Sequence, residues 1–554
     1  MRSKLQQSPV YTQSKKSLKS NELSKSMRLL LFIFLILLVG IIVLFRVRTL
    51  GVALERDEGE YAYAAQLMLE GVPPYSLAYN MKMPGIYAAY AVLLAIFGQT
   101  HTGIHLGVLF INLATIILIF LLAKKIFNTL AGICSACIFA ITCASFTITA
   151  TANAENFVVL PAIASILLLI RYRDSRKKAH LIFSGLLLGV AFLMKQHAFG
   201  FILFAFIYLL TDLLKRKPFN GRNTAIVFTL YSISILMPFL ITCLILWQCG
   251  VFENFWFWTF DYAGKYVSIL SFKTGFNALK MTLSSIFHSM PLIWILAIVA
   301  LPSFLVNKEI RKHFLFIFAL AICSFLTVCP GLYFRNHYFV LFLPALSLLA
   351  AAAIISVNSI VAVILKSQNK AAVISMIILL TVWLHTFYMQ RDYFLEKDPA
   401  KISRMIFHSN CFPEMLEIAN YIKNHSTPED KIAILGSEPE ICFYAHRHSA
   451  TPYIYMYPLM ESQPYAVDMQ KEMISQIEES KPRYFILVNN YFSWLPMTNN
   501  NDLISKWISN YGSANYRQIG LVEYFSSDKI EYHWDQTSVP SQGSTNIIIC
   551  ERIK

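Results

Sequence analysis

Apolar runs of about 18 residues recur along roughly the first 390 positions of this 554-residue chain. A helix of that length crosses about 30 Å of hydrocarbon, so each run predicts a membrane span. Only 14% of the residues are charged, against roughly 25% in soluble globular proteins. We therefore predict a polytopic α-helical membrane protein, which excludes a soluble enzyme, a nucleic-acid-binding domain and a disulfide-built secreted module.

The net charge of +15 lies mainly in short basic clusters between the apolar runs. This is how the positive-inside rule distributes Lys and Arg in membrane proteins, and it removes the need for a nucleic-acid partner. The first cluster is a polar leader at residues 1–28, predicted to be cytoplasmic. The run Leu29–Phe45 follows without a small-residue cleavage site, which favours an uncleaved anchor over a signal peptide.

One short apolar segment decides the predicted topology. Residues 84–98 number only about 15, which is short for a span. If this segment does not cross, the later basic clusters all share the side of the leader, as the orientation rule requires. We therefore predict an interfacial or re-entrant helix there, about 11 spans, a cytoplasmic N-terminus and an extracytoplasmic C-terminus. The spans after Leu29–Phe45 are predicted at 103–123, 130–150, 156–170, 180–194, 197–213, 224–249, 285–306, 313–329, 336–357 and 371–388.

The composition changes at about residue 389, after which most of the acidic residues lie. Short alternating patterns predict strands and amphipathic helices there, hence a small extracytoplasmic α/β domain over 389–554. The transmembrane domain is then 29–388, with a first outer loop at 47–102. Strands are predicted at 431–435, 483–488, 516–524 and 546–550, and helices at 413–423 and 463–480. The tail has neither G-x-G-x-x-G nor a Walker A motif, so it gives no sign of nucleotide binding.

With this topology, the candidate functional residues collect on the outer side. They are Asp57, Glu58 and Lys82 in the first outer loop, Glu155 at the start of a span, Lys195 between two spans, and Arg335, His337 and Tyr338 at the start of a later span. Each also has a structural interpretation. Asp57 and Glu60 fit a capping box, Lys82 can snorkel to the headgroups, and His337 and Tyr338 fit an interfacial belt. Lys195 is harder to explain as a simple turn.

The order of these motifs resembles the protein O-mannosyltransferase and lipid A aminoarabinose transferase group of the C-type (GT-C) glycosyltransferase superfamily. The similar motifs are Asp57-Glu58, Tyr61-x-x-Ala64, Lys82-x-Pro84, Leu122–Phe127, Ala154-Glu155, Gly185–Gln196, and His337-Tyr338 ahead of Leu343-Pro344. The resemblance covers most of residues 29–350. It departs from the family where related members often have Lys-Pro-Pro or His-Pro-Pro and this chain has Lys-Met-Pro-Gly.

The resemblance implies transfer of a hexosyl or pentosyl group, with inversion, from a polyprenyl-phosphate-linked donor to an acceptor hydroxyl outside the cytoplasmic membrane. It implies that Asp57 is the catalytic base, with Glu58 as its acidic neighbour, and that Lys82 binds the donor phosphate. Glu155 stands where some members have Asp. The acceptor is a lipid, a glycan or a protein, and a bacterial inner membrane is favoured over the endoplasmic reticulum.

This chemistry agrees with the residue types. A sugar phosphodiester already has a good leaving group, so one carboxylate that takes the acceptor proton suffices, worth about 10²–10⁴ in rate. Lys82, Lys195 or Arg335 near the departing phosphate would stabilise the transition state more than the ground state. Metal dependence stays open at this point: Asp57, Glu58 and Glu155 could hold a divalent cation, but no ligand spacing demands one.

Two other function classes remain open at this point. A transporter or lipid flippase would place ionisable residues near mid-membrane, whereas the charged residues of this chain lie mainly at span ends. A non-catalytic assembly or sensor protein would use its outer α/β domain to bind a partner.

Overall fold

The computed structural model describes residues 23–148, 151–496, 502–526, 529–541 and 545–553. A bundle of apolar helices extends from Lys25 to Met389, and a domain with a five-stranded sheet follows it. The predicted leader lies outside the described residues as far as position 22. Helix begins at Lys25, so the first apolar helix takes in the last residues of the predicted leader.

The bundle consists of long helices joined by short turns. The longer helices are α1 (Lys25–Arg48), α2 (Arg56–Leu69), α3 (Pro84–Phe97), α4 (His101–Ile126), α5 (Thr129–Thr142), α6 (Ala154–Ser175), α7 (Lys178–Met194), α8 (Phe199–Leu214), α9 (Gly221–Gln248), α10 (Phe272–Ser289), α11 (Pro291–Val306), α12 (Phe314–Leu326), α13 (Leu343–Ile364) and α14 (Gln368–Met389). Shorter helical segments lie at Gln196–Ala198, Phe252–Trp256, Phe257–Tyr262, Ala263–Tyr266, Lys308–Arg311, Pro330–Leu332, Asn336–Phe342 and Arg391–Leu395.

Within the described residues, seven helices are long and apolar enough to cross a membrane, and an eighth is added if a bent pair counts as one span. The bent pair is α10 with α11, which meet at 104° where Pro291 begins the second helix. Four shorter apolar helices, α3, α5, α7 and α12, have 13 to 17 residues. The chain is therefore a multi-pass helical membrane protein, and the number of 11 spans stays a prediction.

Helix α3 lies over the predicted non-spanning segment, and both of its ends contact α2. Lys82, two residues before α3, pairs with Asp57 of α2. Gln99, just after α3, accepts a hydrogen bond from Gln66 of α2. Gly98 turns the chain between α3 and α4 with a φ of +90°, a conformation that side chains rarely adopt. These contacts fix α3 against α2, and its non-spanning role stays a prediction.

Two ion pairs define the ends of the bundle. Lys125 at the end of α4 pairs with Asp174 at the end of α6, at 2.7 Å. Lys195, directly after α7, pairs with Glu155 at the start of α6. We call the first the basic end and the second the site end. They are about 29 Å apart along α6 at about 1.5 Å per residue.

The C-terminal domain has a five-stranded sheet in the order β1-β2-β5-β3-β4, in which β1 and β2 are parallel and the other neighbours antiparallel. The strands are β1 (Ile432–Leu435), β2 (Tyr484–Asn489), β3 (Tyr516–Ser526), β4 (Lys529–Trp534) and β5 (Thr545–Arg552). The helices are α15 (Pro399–Phe407), α16 (Phe412–Asn424) and α17 (Ala466–Ser480), with short ones at Glu440–Ala445, Tyr457–Met460, Tyr491–Trp494, Leu503–Trp507, Ile508–Gly512 and Ser513–Asn515. Strand β4 was not predicted, because it is a polar strand at the sheet edge, where charged residues are common.

The first outer loop and the C-terminal domain share one apolar core. Tyr61, Tyr63 and Ile86 from the loop belong to the same buried cluster as Ile434 and Ile486 of the sheet. The transmembrane helices form a separate cluster. Two segments more than 300 residues apart in sequence therefore build a second layer of the molecule together.

Candidate active site

Helix α2 carries the acidic residues of the first outer loop. It begins at Arg56, and the Glu58 carboxylate accepts a hydrogen bond from the backbone N–H of Glu55 at 3.1 Å. The capping box therefore joins Glu55 and Glu58, and the predicted box of Asp57 and Glu60 is wrong by two positions. Residues three apart on a helix share a face. Asp57 and Glu60, which take no part in the capping box, therefore share a face of α2 that points into the interior.

Glu58 faces away from Asp57. Its side chain is fully buried, one oxygen lies 3.2 Å from His105 Nε2 of α4, and the same oxygen accepts a hydrogen bond from the Ala152 N–H. Glu58 therefore connects α2 to α4 and to the segment before α6. Predicted as a catalytic neighbour of Asp57, it lies outside the cleft that Asp57 lines.

Asp57 and Lys82 form the centre of the cleft. Lys82 Nζ lies 3.0 Å from Asp57 Oδ2 and donates to the Tyr61 hydroxyl at 3.3 Å. The backbone carbonyl of Lys82 accepts a 2.6 Å hydrogen bond from Tyr75, which holds the loop in place. Tyr455 of the C-terminal domain donates to Asp57 Oδ1 at 3.3 Å. Asp57 thus contacts both layers of the molecule.

The charges around Asp57 set its protonation. Burial alone would raise the pKa of Asp57, but the cation of Lys82, with His337 and Arg335, outweighs burial and holds that pKa well below its usual range. Burial likewise opposes the charge of Lys82, yet the carboxyl groups of Asp57 and Glu60 raise the pKa of this lysine. Both groups are therefore ionised at neutral pH.

Glu60 lies on the same face of α2 and has a different environment. It is fully buried and accepts hydrogen bonds from the Tyr87 hydroxyl at 2.5 Å and the Asn80 amide at 2.8 Å. Burial raises the pKa of Glu60 to about 8. Glu60 is therefore mostly protonated at pH 7, which leaves Asp57 as the ionised carboxylate of this face.

The remaining predicted residues meet next to this pair. Lys195 pairs with Glu155, and its ammonium lies 4.2 Å from the centre of the Tyr338 ring. His337 Nε2 lies 3.9 Å from a Glu155 oxygen. The structure thus gathers residues from the starts of three helical segments at the site end of the bundle.

A strained turn directly precedes Arg335 and Tyr338. Gly331, Leu332 and Phe334 have φ values of +73°, +59° and +45°. Such left-handed conformations are costly for residues other than glycine and cluster at functional sites. The turn brings Arg335 and Tyr338 to the wall of the cleft that Asp57 lines.

Two cavities meet at Lys82 and Tyr338. The larger has a volume of about 310 Å³ and is mainly apolar, and the smaller has about 50 Å³. Both are also lined by Met81 and Tyr266. The larger adds Met83, Ala154, Met194, Lys195, Gln196, His197, Thr259, Phe260, Ala263, Gly264, Val267 and Pro330. The smaller adds Asp57, Asn80, Tyr262, Arg335, Tyr455, Tyr457, Pro458 and Glu461.

Sequence reasoning missed the residues that the C-terminal domain supplies. Tyr455, Tyr457 and Glu461 line the smaller cavity, and Glu461 accepts a 2.5 Å hydrogen bond from Tyr262 of the aromatic loop at 253–266. Burial raises the pKa of Glu461 to about 7. The tyrosine-rich segment at 453–457 is the one local signal for this role. Glu60, by contrast, could have been found from its helical spacing to Asp57.

The three carboxylates predicted as possible cation ligands do not converge. Asp57 pairs with Lys82, Glu155 pairs with Lys195, and Glu58 points away from both. Among the described residues, a group of three with ligand spacing lies instead on the β3–β4 hairpin, at Glu523, Glu531 and His533. A metal in the cleft stays a prediction.

Comparison with known proteins places the fold. Residues 81–242 match the family model described as dolichyl-phosphate-mannose-protein mannosyltransferase. ArnT from Cupriavidus metallidurans, bound to undecaprenyl phosphate, has a TM-score of 0.58 at 13% identity over 93% of this chain and 97% of its own. Its apo state gives 0.55 at 14% identity over the same shares. The apo oligosaccharyltransferase of Archaeoglobus fulgidus gives 0.51 at 12% identity, over 92% of this chain and 75% of its own.

No curated protein sequence matches the chain. The match to the mannosyltransferase family model and the shared fold with ArnT confirm the resemblance to the C-type glycosyltransferase superfamily.

Proposed function

We propose that this chain is a membrane glycosyltransferase. It moves a sugar from a polyprenyl-phosphate-linked donor to an acceptor hydroxyl, with inversion, on the outer face of the cytoplasmic membrane. The observation that carries the proposal is the contact of Asp57 with Lys82 at 3.0 Å, where an apolar cavity meets a polar one. The family model and the fold shared with ArnT, whose solved complex contains undecaprenyl phosphate, support it.

The two cavities suit the two ends of such a donor. The first isoprene units occupy the larger, apolar cavity, and the phosphate lies at Lys82 and Tyr338, which line both cavities. The sugar then faces Asp57 and the tyrosines of the smaller cavity. Arg335, in the same wall, reaches the phosphate or the sugar hydroxyls.

The charges of the cleft fit a phosphodiester. Lys82, Lys195 and Arg335 supply three positive charges, Asp57 and Glu155 supply two negative ones, and Glu461, with a pKa raised to about 7, is partly ionised. A donor phosphodiester carries one negative charge, so its binding brings the cleft close to neutrality. Burial of a charge without compensation is costly, and this balance avoids that cost.

The reaction then needs one base. The acceptor oxygen forms a bond to the anomeric carbon as the bond from that carbon to the phosphate oxygen breaks, and Asp57 takes the acceptor proton. The leaving polyprenyl phosphate goes from one negative charge to two. Lys82 stabilises the added charge, an interaction that grows stronger as the bond breaks.

Lys82 also couples donor binding to the strength of the base. In the structure its cation is the main group that holds the pKa of Asp57 low. When the ammonium turns toward the donor phosphate, Asp57 loses much of that stabilisation and its pKa rises, which makes it a better proton acceptor. Glu155 keeps Lys195 in place beside Tyr338 throughout.

The test is transfer by the purified wild-type protein in detergent, supplied with labelled polyprenyl-phosphate sugars and a crude envelope acceptor. We expect the label to move to the acceptor and free polyprenyl phosphate to accumulate. In a parallel experiment, the protein in vesicles receives the same labelled lipid without acceptor. Translocation of the intact lipid with no transfer in the first assay would contradict the proposal and favour a flippase.

A further inference from the structure

A separate cavity lies at the basic end of the bundle. Its volume is about 400 Å³, larger than either cavity of the cleft. It lies between the second half of α8 and the first half of α12, with the end of α6 as a third wall. Arg173 of its rim is 18 residues beyond Glu155 on α6, which is about 27 Å at about 1.5 Å per residue. The cavity is therefore independent of the cleft.

The rim of this cavity is positively charged. Lys125, Arg173, Lys215 and Lys312 all line it, and none of the described residues that line it is Asp or Glu. Asp174 and Asp212 lie next to the rim; Asp174 pairs with Lys125 and Arg173, and Asp212 pairs with Arg176 and Arg216. Two carboxylates against these six cations leave an excess of positive charge at this end of the cavity.

The body of the cavity is apolar and opens sideways. Phe204 and Phe316 form part of its wall, with their rings edge to face at 5.2 Å. Leu315, Phe318 and Ile322 also line it and are 66%, 44% and 45% exposed on the outside of the bundle. Since this surface faces hydrocarbon in a membrane, an acyl chain can enter between α8 and α12 from the bilayer.

A polar group is available where the apolar and charged parts meet. The hydroxyl oxygen of Tyr208 is buried in the wall beside the Arg173 guanidinium of the rim, although no well-aligned hydrogen bond joins them. Buried hydroxyls are normally satisfied. A ligand oxygen at the rim would satisfy this one.

We propose that this cavity is a binding site for an anionic phospholipid of the adjacent leaflet. Its phosphate lies among the four cations of the rim, and one acyl chain lies between α8 and α12. The excess positive charge selects an anionic headgroup over a zwitterionic one, as basic pockets between membrane helices do. The apolar body selects a lipid over a soluble phosphate. By contacting three helices at once, the lipid stabilises the basic end of the bundle.

The test compares lipids on the delipidated full-length protein by native mass spectrometry and thermal unfolding. We expect phosphatidylglycerol to be retained about tenfold more strongly than phosphatidylcholine and to raise the unfolding temperature, because a ligand of the folded state stabilises it. Inorganic phosphate at millimolar concentration should not displace it. Equal retention of the two lipids by the wild type, or displacement by inorganic phosphate, would overturn the proposal without any variant.

Variants locate the site. Lys215→Ala with Lys312→Ala should reduce phosphatidylglycerol retention to the level of phosphatidylcholine. The matched control, Lys178→Ala with Lys370→Ala, removes two cations from the same end of the bundle that do not line the cavity. Ala319→Trp fills the apolar body and leaves the rim intact, so it should also reduce retention. If the control pair reduced phosphatidylglycerol retention as much as the rim pair does, or if Ala319→Trp left retention unchanged, the assignment of the site would be wrong.

Discussion

Lys82 contacts the proposed base, Asp57, and lies where the two cavities of the cleft meet. Its ammonium lies 3.0 Å from Asp57 and lines both cavities of the cleft. Its position is fixed by the backbone, because Tyr75 bonds its carbonyl oxygen at 2.6 Å. A residue held in this way can exchange one anionic partner for another without moving the loop that carries it.

Replacement of Lys82 by Gln should weaken binding of polyprenyl phosphate about 10- to 100-fold, since a hydrogen bond to a charged group contributes about 1.5–3 kcal/mol. Titration of labelled polyprenyl phosphate into the purified protein measures this. Lys265→Gln, an exposed lysine on the aromatic loop at 253–266, is the matched control and should bind as the wild type does. Wild-type affinity in Lys82→Gln would show that the phosphate binds elsewhere.

Glu60 makes the stability of the protein depend on pH. Its pKa is raised to about 8 in the folded state, whereas an unfolded Glu titrates near 4.5. Between these values the folded state binds more protons than the unfolded state, so stability falls as pH rises. The loss per pH unit is steepest near pH 6 and halves by pH 8, so we expect about 2 kcal/mol over the whole interval.

Glu60→Gln keeps a neutral side chain at all pH values and should remove this part of the loss. Thermal unfolding of both proteins in detergent at pH 6 and pH 8 measures it. The wild type should lose more stability than the variant over this interval. The same loss in both would show that Glu60 ionises normally.

The sequence was sufficient for part of the cleft. Asp57, Lys82, Glu155, Lys195 and Arg335 were predicted from residue type and position between apolar runs, and the structure brings them together. Glu58 was misplaced because adjacent helical residues point about 100° apart, so Asp57 and Glu58 cannot face one cleft. Tyr455 and Glu461 could not be predicted, since their contact with the cleft depends on packing between segments almost 400 residues apart.

At the scale of single elements, α3 approaches α7 closely at its first turn. Gly85 lies in the first turn of α3, and a Cβ atom there would be 2.5 Å from the backbone carbonyl oxygen of Leu193. A backbone atom cannot move away as a flexible side chain can. The contact therefore requires glycine at position 85.

Gly85→Ala should therefore lower the free energy of unfolding by about 1–3 kcal/mol, the usual cost of overpacking. Thermal unfolding in detergent measures the effect. Gly40→Ala in α1 is the matched control, because nothing lies within 4 Å of the added Cβ atom. Alanine is also the better helix former, so this control should be as stable as the wild type or slightly more stable. An unchanged Gly85→Ala would mean that α3 and α7 are less close than the structure shows.

Hydropathy predicted the positions of the helices more accurately than it predicted which of them cross the membrane. The run 285–306, predicted as one span, begins inside α10 and continues through α11, with a 104° bend at Pro291. Pro291 and the apolar residues on either side of it can be recognised in the sequence. The angle between the two helices depends instead on how neighbouring segments pack against them. The four strands predicted in the tail correspond to β1, β2, β3 and β5. Strand β4 was not predicted, because it is a polar strand at the edge of the sheet.

At the scale of the whole molecule, the two layers meet at α2. Arg56, the first residue of α2, pairs with Glu438 of the C-terminal domain at 2.8 Å. Glu438 follows β1 and is almost fully buried, as is Arg56. Gly59 allows the backbone of α2 to approach Glu440, whose Cβ atom would lie 2.7 Å from one added there. The C-terminal domain is thus held directly against the helix that carries Asp57.

Arg56→Met should destabilise the protein by about 3–5 kcal/mol, because it leaves the Glu438 carboxylate buried without its cation. The double variant Arg56→Met with Glu438→Gln removes both charges and should recover much of the loss. Limited proteolysis of the C-terminal domain and thermal unfolding measure both variants. If the double variant were no more stable than Arg56→Met alone, the ion pair would not be what joins the layers.

The central claim is that Asp57 accepts the acceptor proton. The most direct measurement is the rate of sugar transfer by Asp57→Asn at saturating donor, beside the wild type and Asp468→Asn, an exposed aspartate of α17. Asn keeps the size of the side chain and removes its basicity. We expect transfer to fall by about 10²–10⁴ in Asp57→Asn, with polyprenyl phosphate still bound and Asp468→Asn unaffected. Transfer at the wild-type rate by Asp57→Asn would show that Asp57 is not the base.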